Sequence, residues 1–310
     1  MNVVHGKPQF VHPTFGDYFT ACWFCRNFEF NRSVLERILF DLTYGVITDV
    51  FDRMLARDFP LHCAVLQRDI ECFETLLEEG CDVSVVDKGG RTVMHIIATR
   101  DCTFMDIRNR VTQYEVSMDK RDSVLQWTPL QYATKSEKWF IVERLLESNV
   151  DRSGLDMIRQ RAGDQDYINP IIIHAATYGL LLLLQCLSSM GVNIQQASST
   201  DFPSPLHAAI QGEQLPVVKW LIQHGADCNT RCSRGQTPLF QAVIKGSLDA
   251  VRALVEEGGA SVDIRDDDGK TAIDLAKEYT SVEMYQHTFL WKYRVEEFKE
   301  IFMYLQERIC

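Results

Sequence analysis

Four histidines, His62, His95, His174 and His207, carry side chains able to act as general bases or metal ligands near neutral pH. Either chemistry would need them to converge. Each instead closes a four-residue signature, in Phe59-Pro60-Leu61-His62, Thr92-Val93-Met94-His95, Ile171-Ile172-Ile173-His174 and Ser204-Pro205-Leu206-His207. Three more signatures, Thr128-Pro129-Leu130-Gln131, Thr237-Pro238-Leu239-Phe240 and Thr271-Ala272-Ile273-Asp274, hold other residues in that slot. Equivalent slots of stacked layers form a ladder, so a structural role is expected for all four rings. The thiols point the same way. Cys22-Trp23-Phe24-Cys25 has the gap of a redox or zinc motif, but it lacks the strand-before-helix setting of a redox dithiol and a second Cys or His pair. Cys228 and Cys232 sit at a hairpin tip, and the ten cysteines together read as reduced thiols, several of them at apolar helix positions. Asp266-Asp267-Asp268-Gly269 lacks the alternating oxygens and closing glutamate of a calcium loop and is expected to be a solvated turn. Phosphate-cradling, nucleophile-elbow, zinc-protease and kinase motifs are missing from the sequence. The chain is therefore read as a non-enzyme, with no catalytic residue, metal or cofactor.

What positions these residues is a repeat. The first residues of the seven signatures are separated by 33, 36, 43, 33, 33 and 34 positions, the period of helix-turn-helix units that stack into a solenoid. Threonine or serine at the first slot caps a helix through its hydroxyl, and proline in the next fits the first turn, where its missing N–H is not needed. A second apolar run follows each signature, as in Val217-Val218-Leu221-Ile222 and Val251-Leu254-Val255. Leucine, isoleucine and valine at three- and four-residue spacing bury one side of that helix against the neighbouring units. A single unit cannot bury both sides, so stacking is obligatory and the ends need covers.

These signatures, the small residues behind them (Ala175-Ala176, Ala208-Ala209) and the glycine turns that close the second runs (Gly80, Gly191, Gly225, Gly258-Gly259) resemble the ankyrin repeat over residues 55 to 280. The resemblance implies an all-α, ankyrin-repeat solenoid of about seven helix-turn-helix repeats, with an N-terminal helical module at 1–56 and a C-terminal amphipathic capping helix at 281–310. The repeats are expected at 57–89, 90–125, 126–168, 169–201, 202–234 and 235–268, with a partial one at 269–280. In that family the signature histidine hydrogen-bonds between neighbouring turns, which is the role implied for His62, His95, His174 and His207. Two departures are visible. The second repeat lacks a long apolar second helix between Asp101 and Asp122, where short or displaced helices are expected. The 43-residue step holds about ten extra residues, Ile158 to Tyr167, expected as a surface loop or extended hairpin because closure entropy rises only slowly with length.

The resemblance also implies where a partner sits: on the concave face, at the tips before each signature and at exposed positions seven and eight residues into it. The tips hold Lys88, Arg91, Trp127, Tyr167, Arg234, Gln236 and Lys270, and the helical slots hold Gln67, Arg100, Lys135, Tyr178, Gln211 and Lys245. Trp, Tyr and Arg are enriched at binding hot spots, and this strip is more basic than the whole. A protein partner, acidic or extended and peptide-like, is expected. Asn229 follows Leu221 and Asp227 at a spacing similar to ankyrin sites of asparagine hydroxylation, which makes it a candidate for that modification.

The ends differ from the repeats. Phe10 to Ala21 resembles the helix that closes the nucleotide-binding region of NACHT-type signalling ATPases, which in insect-type NACHT–ankyrin proteins leads into the repeats. That family's hydrolytic parts would lie upstream of Met1, so no nucleotide hydrolysis is expected. The alternative is an aromatic amphipathic helix that caps the first repeat. Val34, Leu35, Ile38, Leu39 and Leu42 are expected to form one apolar face, and Val46, Ile47, Val50, Phe51, Met54 and Leu55 the next. At the other end Val295, Phe298, Ile301, Phe302 and Leu305 mark an amphipathic helix, read as a cap with a docking helix as the alternative.

Composition sets the remaining bounds. In 310 residues, 43 acidic side chains outnumber 32 basic ones for a net charge of −11, which disfavours nucleic acid as a partner. The most hydrophobic stretch, Ile171 to Leu187, is interrupted by His174, Thr177, Tyr178 and Gly179, so no membrane span is expected there. No secretory signal pattern opens the sequence, and the cytoplasm, or the nucleus, is the expected compartment.

Overall fold

In the computed structural model, residues 2–4, 7–9, 13–28, 32–100, 119–147, 152–198, 202, 204–280 and 295–308 are described. They fall into two compact units, Met1–Met157 and Ile158–Cys310. The first opens with a short antiparallel ribbon, β1 (Asn2–Val4) and β2 (Lys7–Gln9), which the repeat pattern did not announce. Helices α1 (Pro13–Asn27), α2 (Arg32–Leu39) and α3 (Gly45–Ala56) precede the repeats, with a 3-10 turn at Leu42–Tyr44. The repeat helices are α4 (Pro60–Gln67), α5 (Ile70–Glu78), α6 (Val93–Thr99), α7 (Pro129–Lys135) and α8 (Trp139–Glu147). Contact runs in sequence, α1 on α3, α3 on α4, α4 on α5 and α6, α6 on α7, and α7 on α8.

After the short α9 (Asp156–Arg159), the second unit contains α10 (Gln165–Tyr178), α11 (Leu181–Ser189), α12 (Pro205–Gln211), α13 (Leu215–Gln223), α14 (Pro238–Ile244), α15 (Leu248–Arg252), α16 (Ala272–Thr280) and α17 (Val295–Gln306). The first helices of its repeats pack in a row, α10 on α12, α12 on α14 and α14 on α16, while α17 lies on α16 and α15. Phe298, Ile301 and Leu305 are fully buried in that last contact. Their spacing along the helix explains why one side closes over the repeats.

Local chemistry sets the helix starts. Thr128 Oγ1 accepts the Gln131 amide while the Gln131 side chain accepts the Thr128 amide at 2.9 Å, a reciprocal cap followed by Pro129 at the first turn. Thr271 and Asp274 repeat it, the Thr271 amide donating to Asp274 Oδ2 at 2.9 Å. Those hydrogen bonds hold the Asp274 carboxyl below its ordinary range. Close approach of layers depends on glycine: a Cβ on Gly212 would stand 1.8 Å from the Thr177 carbonyl oxygen of the preceding repeat. The one-residue excess in the step from Thr237 to Thr271 is absorbed where α15 continues as a π turn, Ala253–Glu257, closed by Gly258 N–H to Ala253 O at 3.0 Å.

Three expectations need correction or placing. The surface loop expected over 158–167 is confined to the mostly exposed turn at 160–164: Ile158 lies in α9 and is fully buried, and α10 begins at Gln165, capped by Asp164. Ile171-Ile172 lacks the hydroxyl cap of other signatures, and the helix runs back through Pro170 to a cap at Asp164. In the N-terminal module, Leu35, Ile47, Phe51 and Leu55 are buried as expected, but Val34, Val46 and especially Leu42, at 99% exposure, face solvent. The turn at Leu42–Tyr44 breaks the helical phase on which the two continuous faces were predicated. Much of the second repeat's expected second helix (101–118), the first residues of the Phe10–Ala21 motif (10–12) and the approach to the last helix (281–294) lie outside the described residues.

Candidate functional site

The ladder histidines come first because their geometry fixes the layers. His62 Nε2 lies 2.9 Å from the Arg91 carbonyl and His95 Nε2 lies 3.0 Å from the Trp127 carbonyl, each the residue just before the next signature. His207 faces the Gln236 backbone in the same relation, without the close geometry of the other two. The other ring nitrogen of His95 and His207 meets the signature hydroxyl, of Thr92 and Ser204 respectively, at 2.9 Å. Phe59 has no hydroxyl, and His62 Nδ1 is buried without a partner. Burial lowers the His95 and His207 pKa values to about 4. His62 and His174 are also lowered, by burial. His174 is half-buried, its ring 4.5 Å from that of Tyr178. Held neutral and bonded to a carbonyl of the following layer, the rings of His62 and His95 act as struts.

Three of the tips are turns organised by an aspartate. Asp87 accepts the amides of Gly89 and Arg91, Asp122 those of Leu125 and Trp127, and Asp266 those of Asp268 and Lys270. One oxygen of the Asp266 carboxylate, Oδ1, is thus taken up by its own loop. Among the described residues no group of three or more His, Cys, Asp or Glu side chains could hold a metal ion. Cys22 approaches Met54 Sδ at 3.7 Å and Cys25 the Phe51 carbonyl at 3.9 Å. Burial pushes the Cys25 thiol up to about 11, which disfavours the thiolate a redox or ligand role would need. Cys228 is likewise pushed to about 11.

In the first unit the predicted strip is met by the N-terminal module. Arg91 is not an exposed tip residue: it is 4% exposed, between Asp52 at 2.5 Å and Asp87 at 2.8 Å. Its burial works against the charge, but the two carboxylates override it and raise the pKa. Arg100 reaches Asp52 at 2.5 Å and Asp49 at 3.2 Å. Lys135 meets Glu36 at 2.9 Å, and Trp127 stacks on Phe40 at 5.5 Å with 29° between the planes. Lys88 pairs with Asp58 at 2.5 Å. The acidic partners Glu36, Asp49 and Asp52 and the ring of Phe40 were missed because only the apolar spacing of that segment was read. The three-residue gap between Asp49 and Asp52, which shares one helix side, was the available signal.

In the second unit the strip engages mainly itself. Tyr167 lies under the Arg161 guanidinium at 3.8 Å. Tyr178 is 51% exposed. Gln211 hydrogen-bonds with Gln241 of the next repeat, Lys245 approaches Glu213 at 3.7 Å, and Lys270 reaches Glu278 at 2.7 Å. Gln236 donates to Asp266 at 3.4 Å, and the exposed Arg234 offers its carbonyl to the Asp267 amide. Asn229 Oδ1 accepts the Ser261 amide at 2.9 Å, so its side chain ties two neighbouring loops.

Comparison with known proteins agrees with this architecture. A family model described as "Ankyrin repeats (3 copies)" matches residues 61–156, 172–268 and 206–287. An ankyrin repeat protein of fowlpox virus (strain NVSL), FPV031, is 31% identical over 160 residues, 50% of this chain and 45% of the relative. ZDHHC13 of Danio rerio, a palmitoyltransferase by name, is 29% identical over 224 residues, 68% of this chain and 31% of that protein. The B-cell lymphoma 3 protein homolog of Mus musculus is 26% identical over 198 residues, 63% of this chain and 42% of that protein. In each case the aligned region spans less than half of the relative's length. Because the model matches most of the span in which signature, strut and tip recur together, the chain belongs to the ankyrin-repeat family.

Proposed function

We propose that this chain is a non-enzymatic protein–protein interaction scaffold that binds its partner along the tips and first helices of its repeats, the concave side in ankyrin proteins. One observation carries the reading. Arg100, Lys135 and Trp127 already hold carboxylates and an aromatic ring from the chain's own N-terminal segment, which supports a strip suited to such groups. An acidic, aromatic-bearing protein segment is therefore the partner class, in preference to nucleic acid, which the net charge of −11 repels. In the second unit Tyr178, Lys245, Arg234 and Lys270 supply the corresponding contacts. The palmitoyl transfer in the name of the Danio rerio relative is not carried over, since the match covers 31% of that protein. No helix among the described residues is long and apolar enough to cross a membrane, and the cytoplasm or nucleus is the proposed compartment.

Affinity capture with the full chain, compared with a Tyr178→Ala/Lys245→Glu double variant, tests the reading. Prey should be lost from the variant and weakened by salt; unchanged recovery would remove the strip from consideration.

A second reading is the sensing or autoinhibitory arm of a NACHT-type ATPase. It is favoured by the way helices α1 to α3 lead directly onto the first repeat. A phosphate-binding loop encoded in frame upstream of Met1 would support it, and an in-frame stop there would end it.

A further inference from the structure

The N-terminal module contains two kinds of contact with the repeats. Helix α3 is built in: Ile47, Phe51, Leu55 and Ala56 are buried, and Asp52 is enclosed with Arg91. Helix α2 is held differently. Leu35 is its one buried residue, while Val34 is 47% exposed. Its link to the third repeat is the Lys135–Glu36 pair, with side chains 40% and 38% exposed. Phe40, just beyond the helix, stacks on Trp127 and tilts against Tyr132 at 5.8 Å. Exposed ion pairs of this kind contribute little, so Leu35, the Phe40 ring, the half-buried Ile38 and Leu39 and one long hydrogen bond from Thr48 to the Ile38 carbonyl hold this stretch in place.

A groove of about 540 Å³ runs beside it, bounded by Phe40, Leu42 and Thr48 on one side and by Arg100, Lys135 and Lys138 on the other. The segment therefore borders an open polar-apolar cleft on the strip where a partner is proposed to bind. Its pattern, a carboxylate one helical turn before an aromatic ring, matches what Lys135 and Trp127 offer at that spacing.

The geometry points to residues Arg32–Tyr44 as a resident flap: an internal ligand that occupies the partner slot of the third repeat and gives way to a helix bearing a carboxylate and, four residues on, an aromatic ring. This rests on the interaction reading above and adds its regulation. The occupied slot lowers the apparent affinity for an outside helix by the fraction of time the flap is closed.

A labelled synthetic peptide of residues 32–44 is the probe, titrated into the full chain. Phe40→Ala and, separately, Glu36→Lys loosen the flap without touching α3, and circular dichroism and the melting transition verify folding. Each variant is expected to bind the peptide at least tenfold more tightly than the unaltered chain, and adding Trp127→Ala should abolish the gain. Hydrogen exchange in the unaltered chain should show the amides of 33–40 opening faster than those of 47–56. Equal peptide affinity in all chains, or no binding to either loosened variant, overturns the flap, as does equal protection of the two helices. Failure of the interaction reading looks different: capture indifferent to Tyr178→Ala/Lys245→Glu while the peptide still distinguishes loosened from unaltered chain.

Discussion

The two units use the same repeat slots to different ends. In Met1–Met157 the strip is built from cations and a tryptophan that meet carboxylates and a ring from outside the repeats, Asp52 and Glu36 among them. In Ile158–Cys310 the equivalent slots pair between neighbouring repeats, through Gln211 with Gln241 and Lys245 with Glu213. A slot's identity thus does not decide its availability. What packs beside it does, and that is set by residues far away in sequence.

The largest break in this comparison is expected at Asp52→Ala. It strips Arg91 of a buried partner at 2.5 Å and leaves a charge in the interior, which costs about 3–5 kcal/mol. Denaturant titration with hydrogen exchange should show the loss confined to the first unit. A loss of less than about 1 kcal/mol would mean that Asp87 suffices alone.

Acid should instead act on both units. His95 in one and His207 in the other have pKa values lowered to about 4, whereas an unfolded chain takes up those protons near pH 6.5. Stability is therefore full above about pH 6.5 and declines as pH falls toward 4, by on the order of 3 kcal/mol for each ring. Urea midpoints measured from pH 7.5 to 4.5 should fall monotonically, with exchange rising around both histidines; a flat profile would contradict the burial.

The finest contrast lies in the caps. Thr128 has its reciprocal partner Gln131. Thr237 faces Phe240 in that slot, and its hydroxyl is buried without a partner. Thr128→Val should cost about 1 kcal/mol, and Thr237→Val about nothing. Melting temperatures of the two variants decide it, and equal losses would refute the difference.

Much of this was legible in the sequence because caps and helical spacing are local. The signatures from Phe59 to Asp274 named the layers, and Phe298, Ile301 and Leu305 marked the covering side of α17. What escaped was non-local or depended on something missing. Arg91 reads as a tip cation until Asp52, 39 residues earlier, is folded against it. Residues 158–167 read as a loop because they exceed the period, but only 160–164 stay a turn, with α9 and α10 taking the flanks from a cap at Asp164. Leu42 fits a helical stripe on paper and stands in water because Asp41 caps a tight turn there instead.

The struts also give the stack a direction. His62 and His95 each hand a ring nitrogen to a carbonyl supplied by the layer that follows, never by the one before. Removing the layer before either histidine leaves that imidazole its acceptor, whereas removing the layer after it leaves the ring nitrogen without one. Growth and erosion of the array are therefore unequal at its two ends.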